Sequence, residues 1–430
     1  MQLTLFKEEV VGLQARQNST ANKIMENDRA FHDWYRFVLS FPPHLVRDYI
    51  KKFRLGKMEI LLDPFCGTGT TLVEAKLNNI PSIGCEANTM AFIASKTKVN
   101  WGIDAQKLIT AAEKISMEAA IIEKELPINE TYRLNNEQEK LILKDSIDDV
   151  PLSRSLLLRD LISKNEREEL NEHLLLALAK IIVYSISNLH FGPEVGVRKS
   201  KITDHPVFFL WLNQVRSIAA DIQTRCYNDT PSKVIKIDSR DISNCLEKSS
   251  ISAVFTSPPY PNEKDYTRTT RLESVILGLI NNRVELRCLK NNLLRSNTRN
   301  VYKMDNDEIY IKNNSRIIEL ADLIEKKRIE LGKTSGFEKL YARVVKLYFG
   351  GMARHLAQLR IYLKPGAKLG YVVGDQASYF QVLIQTGSIL EGIARELGYK
   401  VISLDLFRTR LATATKKQMR EEVLVLEWPG

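Results

Sequence analysis

The amino-acid sequence predicts an α/β fold with helical insertions, on three observations. Short apolar runs closed by an acid or a turn alternate with helical stretches, as in MEILLDPF, PSIGCE, KVIKID and SAVFTS. A glycine turn, Cys66-Gly67-Thr68-Gly69, joins the first run to the helical stretch TTLVEAKLNN, so that strand, turn, helix and strand follow in sequence. Near the other end KLGYVVGD, KVISLDLF and EVLVLEW are close to continuous apolar runs, the pattern of central strands covered on both faces.

Composition narrows the class. The 430 residues exceed one ordinary domain of roughly 100–200 residues, so a catalytic domain with elaborations is expected. Hydrophobic residues at 44% and charged residues at 27% exclude a disordered or collagen-like chain. Lys and Arg number 62 against 52 Asp and Glu, a net charge of +10 that favours a polyanionic partner such as nucleic acid. No apolar run reaches membrane-spanning length, and MQLTLFKEEVVGLQARQ lacks the apolar core of a secretory signal. Cys66, Cys85, Cys226, Cys245 and Cys288 form no CxxC pair, which excludes a zinc ribbon and a disulfide framework. A soluble protein of the reducing cytoplasm, with no metal, is expected.

Between the two strand-bearing stretches, residues 105–232 read as a helical insertion with three amphipathic or buried runs starting near Ala105, Arg167 and His205. Residues 281–335 read as a basic, Asn-rich insertion within the catalytic domain, which takes 31–104 and 233–430; residues 1–30 form an N-terminal extension.

The first chemical signal is Asp63-Pro64-Phe65-Cys66-Gly67-Thr68-Gly69 at a strand-to-helix turn. Glycines there let a ligand approach backbone amides at a helix N-terminus. No Gly-Lys-[Ser/Thr] follows, which argues against a P-loop, and Asp63 would repel a pyrophosphate while suiting a cationic amino-acid group. Glu86 ends the next strand, nineteen residues after Gly67, where a carboxylate can accept hydrogen bonds from both ribose hydroxyls. A nucleoside without a bound phosphate fits.

The second signal is Thr256-Ser257-Pro258-Pro259-Tyr260, directly after the strand SAVF. It puts a rigid turn at the carboxyl edge of the sheet, where α/β proteins bind ligands. The proline carbonyls and the Ser257 hydroxyl can receive hydrogen bonds from an amino group, and Tyr260 offers a face on which an extruded base can stack.

With both signals in place, the sequence resembles the DNA amino-methyltransferases, S-adenosylmethionine-dependent enzymes with a Rossmann-like sheet. DPFCGTGTT looks like their cofactor loop and residues 257–260 like their catalytic tetrapeptide, with the first-position Ser of the cytosine-N4 branch rather than the Asp or Asn usual in the adenine-N6 branch. HDWYRF and SFPPHLV, at 32–37 and 40–46, are similar to the segment that packs over the methionine end of the cofactor. The resemblance implies cofactor contacts at His32, Phe41, Asp63, Phe65, Gly67, Thr68, Gly69, Glu86, Asp238 and Ser239. It also implies DNA as partner, methylation of cytosine N4, and a possible cognate restriction endonuclease. Adenine-N6 methylation, an RNA amino group and a binder without turnover stay open as alternatives.

The chemistry needs no protein nucleophile. The cytosine amine is delocalised into its ring; hydrogen bonds to Ser257 and to the Pro258 carbonyl would favour a pyramidal nitrogen, with Pro259 and Tyr260 completing the turn. Arg283, Arg287, Arg295 and Arg299, among many asparagines, are expected to meet DNA phosphates and base edges. Arg198 and Lys199, in the glycine-broken loop 192–201, are a second candidate surface.

Overall fold

The computed structural model describes residues 23–36, 40–127, 131–192, 194–199, 205–225, 227–243, 245–262, 264–411 and 418–430. The run MQLTLFKEEVVGLQARQ, Phe37, Cys226, and Ser200 and Lys201 of the second basic loop lie outside the described residues.

The strands are β1 (Leu61–Asp63), β2 (Ser82–Cys85), β3 (Leu189–Phe191), β4 (Val195–Val197), β5 (Ser232–Ile235), β6 (Ile251–Thr256), β7 (Leu363–Gly374), β8 (Lys400–Leu411) and β9 (Gln418–Glu427). Seven of them build one mixed sheet in the order β5-β2-β1-β6-β7-β9-β8, while β3 and β4 form a separate antiparallel hairpin. The pairs from β5 to β7 are parallel, and β9 runs antiparallel to both its neighbours. The helices of eight or more residues are α1 (Pro43–Phe53), α2 (Thr70–Leu77), α3 (Thr89–Lys98), α4 (Ala105–Glu125), α5 (Asp149–Ser163), α6 (Asn171–Ile181), α7 (Val207–Arg225), α8 (Arg283–Asn291), α9 (Ser315–Glu330), α10 (Tyr341–Leu359) and α11 (Thr386–Glu396). This is an α/β fold built on a Rossmann-like, mostly parallel sheet.

Helices on both faces explain the apolar runs. Leu61, Phe255, Val372 and Val423 join a core with α1, whereas their neighbours Leu62, Val254, Val373 and Leu424 join the core beneath α9, α10 and α11. Successive residues of one strand therefore enter opposite cores. KVISLDLF departs from the expectation of a central strand. The chain returns as β9 between β7 and β8, which leaves β8 on the edge with Ile402, Leu406 and Leu411 exposed.

Helices α4 to α7 share one core with Leu72 and Val73 of α2 and with Met90 and Ala94 of α3. The helical block thus extends one face of the sheet instead of burying a core of its own. Its helix α5 falls between the runs visible in the sequence, and β5 already takes up Ser232.

The strand order sets the position of any site. After β1 the chain moves to β2 on one side, while β6 lies on the other. A crevice opens at the carboxyl ends of β1 and β6, where such a sheet switches direction. The glycine turn follows one of these strands and Ser257-Pro258-Pro259-Tyr260 the other.

Candidate active site

A cavity of about 350 Å³ occupies that crevice, and both motifs line it. On the β1 side Gly67 and Gly69 have φ of 51° and 85°, the left-handed region that glycine enters without steric cost. A Cβ at Gly69 would also come within 3.0 Å of the Ser95 Cβ. The Gly69 N–H donates to the Cys66 carbonyl at 2.8 Å, tightening the turn before α2.

Glu86 holds this turn from β2. One carboxylate oxygen accepts the Gly67 N–H at 2.8 Å and the other the Asn88 N–H at 2.7 Å. Burial raises its pKa to about 7. Asp63 lies fully buried at the end of β1, where burial raises its pKa to about 6 against the opposing influence of the Thr256 and Thr71 hydroxyls. Its Oδ1 accepts the Phe65 N–H at 3.2 Å, yet no hydrogen bond of ordinary geometry reaches Oδ2 among the described residues. Two desolvated carboxyls, one with an orphaned oxygen, form an environment that a cationic ligand would relieve.

This arrangement carries a pH dependence. A cation favours the ionised carboxyls, whose folded pKa values lie above the ordinary acid range, so binding must release protons once the pH falls below about 7. Affinity for a positively charged ligand should drop roughly ten- to hundredfold between pH 8 and pH 5.5. Calorimetric titration at the two values checks it; equal affinity would show that neither carboxyl senses the ligand.

Phe41, Phe65, Gly67, Thr68, Glu86, Asp238 and Ser239 line the cavity. Phe41 stands edge-on to Phe255, and Phe65 edge-on to His355. The Ser239 hydroxyl donates to the Pro64 carbonyl and so ties the loop after β5 to the loop after β1. Asp238 is gripped by Arg240, whose Nε lies 3.1 Å from both carboxylate oxygens, and Arg240 in turn bonds Asp307 at 2.6 Å. Asp63 and Gly69 sit beneath the turn, outside the lining. His32 is a correction. It is buried behind α2, where its Nε2 meets Glu74 Oε1 at 2.9 Å, and lines a separate cavity with Arg47 and Asp28. Glu74 of α2 captures the imidazole that the sequence assigns to the cofactor contacts.

All four residues of the second motif line the main cavity. The Ser257 hydroxyl donates to the Val372 carbonyl of β7 at 3.2 Å, and burial pushes the Tyr260 hydroxyl's pKa up. The Tyr260 ring packs over Gly374, where a Cβ would lie 3.1 Å from its Cε2. The Tyr260 N–H points to the Tyr266 hydroxyl at 3.5 Å.

The opposite wall comes from the Asn-rich segment. The Asn262 N–H donates to both the Tyr260 and Ser296 carbonyls, at 2.8 and 2.9 Å, and binds that wall to the Ser-Pro-Pro-Tyr turn. Ser296 and Asn300 line the cavity almost fully buried, and Ser296 Oγ and Asn300 Oδ1 have no hydrogen-bond partner among the described residues. Asn282 and Asn297 are not available for readout, since their side chains cap helical turns at Val284, Glu285 and Arg299. Gln376, Arg408, Arg410 and Glu421 also line the cavity and escape the sequence reading. Gln376 follows β7, so its place just past a central strand was the available signal; the other three depend on the β8–β9 pairing.

The expected DNA contacts divide. Arg198, Lys199, Arg283 and Arg287 are exposed, and Arg287 stacks on Tyr302. Arg295 is a correction, because it is buried and grips Asp305 through Nε and Nη2 at 2.8 and 2.7 Å while donating to the Asn291 carbonyl. Its charge serves the packing of this segment. Arg295→Ala should cost about 3–5 kcal/mol of stability by stranding Asp305, visible as a lowered thermal midpoint; an unchanged midpoint would return Arg295 to the surface set.

A family model described as DNA methylase matches residues 14–96. The chain is 25% identical to the Type II methyltransferase M.BsoBI of Geobacillus stearothermophilus, an alignment covering 99% of this chain and 89% of that protein. It is 24% identical to the Type II methyltransferase M.AvaI of Nostoc sp. and of Anabaena variabilis, over 92% of this chain and 86% of each. These similarities support an amino-methyltransferase. Among the described residues no helix is long and apolar enough to cross a membrane, and no group of three or more His, Cys, Asp or Glu is placed to hold a metal.

Proposed function

We propose that this protein is a site-specific DNA methyltransferase acting on the exocyclic N4 amine of cytosine, the modification half of a restriction system. The observation that carries the reading is one cavity with Ser257-Pro258-Pro259-Tyr260 on one rim and the glycine turn with Glu86 on the other. A cytoplasmic site of action and a cognate endonuclease belong to the same reading, as do relatives named Type II methyltransferases.

Phe41, Phe65, Gly67, Thr68, Glu86, Asp238 and Ser239 would hold S-adenosylmethionine, which supplies an electrophilic methyl group on a cationic sulfur. Glu86 would accept from the ribose with the lone pairs its two backbone donors leave free. Tyr260 would stack the extruded base. Ser257 and the Pro258 carbonyl would take the amine hydrogens, keep the nitrogen lone pair out of the ring and stabilise the positive charge that develops on it. The unpartnered polar groups of Ser296 and Asn300 would meet the remaining edge of the base.

The test is transfer of label from methyl-labelled S-adenosylmethionine to unmodified DNA and, separately, to RNA. Label in DNA alone supports the reading. Label in RNA alone overturns the substrate class, and label in neither overturns the activity.

A further inference from the structure

Beside the cavity-lining residues Tyr266 and Asn300, three distant parts of the chain meet at one carboxylate. Glu194, at the tip of the β3–β4 hairpin, lies 3.2 Å from Arg268 and 3.5 Å from Arg299, one guanidinium on each of its oxygens. Arg268 follows the catalytic turn and Arg299 belongs to the Asn-rich segment, whereas the hairpin comes from the helical insertion. Lys264 and Arg410 line the adjoining cavity wall, and Lys264 senses both Arg410 and Glu194.

We propose that Lys264, Arg268, Arg299 and Arg410 form a phosphate site for the DNA strand that carries the target base, and that Glu194 occupies it in the free protein. This rests on the function proposed above. Two guanidiniums on separate oxygens of one anion is the arrangement in which arginines hold a phosphate. The glutamate side chain is 50% exposed and its partners 31% and 33%, so the ion pairs contribute little to the fold and can exchange without unfolding it. A backbone phosphate is the stronger competitor because its capture also releases condensed counterions. The hairpin would then swing its carboxylate clear and bring Arg198 and Lys199, just beyond β4, towards the same strand.

The probe is an unmodified DNA duplex, bound by the full-length protein across a salt series. Glu194→Gln should tighten binding about three- to tenfold at low salt. Arg268→Ala and Arg299→Ala should each flatten the salt slope by about one unit. In the background lacking both arginines, Glu194→Gln should gain nothing. An unchanged affinity for Glu194→Gln, or the same gain in both backgrounds, overturns the proposal, the second by showing a general charge effect. Tighter binding of deoxycytidine monophosphate without any gain on duplex would overturn the backbone assignment in favour of a free nucleotide. Methylation of the same DNA by the unaltered protein separates the cases: its presence with a silent Glu194 sinks only this site, and its absence sinks the function on which the site rests.

Discussion

Replacing Ser257 by alanine is expected to lower methyl transfer about 100- to 1,000-fold while leaving cofactor affinity within a factor of two, the scale of loss when one aligned group is removed from a developing charge. The hydroxyl sits at the end of β6 and is pinned by the Val372 carbonyl at 3.2 Å, so it is aimed before any substrate arrives. Alanine removes the aim and the acceptor together without disturbing Asp63, Gly67 or Glu86. Tyr260 is expected to behave differently. Tyr260→Ala should abolish most turnover through loss of the stacking face, whereas Tyr260→Phe keeps that face and loses only the hydroxyl. A loss of no more than roughly three- to tenfold is expected, the scale of a single hydrogen bond. Single-turnover rates at saturating cofactor measure both. If Phe at 260 were as inactive as Ala, the hydroxyl would have to take part in the chemistry and the stacking role would be wrong.

Glu86→Ala should weaken S-adenosylmethionine binding at least 100-fold. The carboxylate joins two tasks, since it is placed to accept from the ligand and already accepts the Gly67 and Asn88 N–H groups. Leaving those donors unpaired costs about 1–3 kcal/mol each and loosens the turn itself. Glu86→Gln should be almost as damaging, because a side-chain amide offers one oxygen for two backbone donors and turns its NH₂ towards the other. Calorimetry gives the affinity and a thermal scan the fold. Near-normal affinity in the Gln variant would mean that the turn is held without this carboxylate.

The fold and the two motifs were legible because their signals are local. The glycine turn, the acid on the next strand and the Ser-Pro-Pro-Tyr turn each sit within a few residues of a strand end, and strand ends gather at one edge of a parallel sheet. His32, Arg295 and Arg408 illustrate what was not legible. The sequence assigns the first to the cofactor and the second to DNA phosphates, but His32 meets the buried Glu74 and Arg295 grips Asp305, acids whose positions depend on tertiary packing. Arg408 reaches the cavity only because β9 returns between β7 and β8 and sets Glu421 2.5 Å from it. The same return makes KVISLDLF an edge strand despite its apolar run. Residue type showed the chemistry these side chains are capable of, while pairing at long sequence separation decided which of them use it.

The most direct measurement is the identity of the methylated nucleoside. DNA modified by the purified protein is digested to nucleosides, and the methylated product is separated and identified by mass against N4-methylcytosine and N6-methyladenine standards. With Ser257 opening the Ser-Pro-Pro-Tyr turn, the expected product is N4-methylcytosine alone. N6-methyladenine in its place would contradict the assignment of the target base.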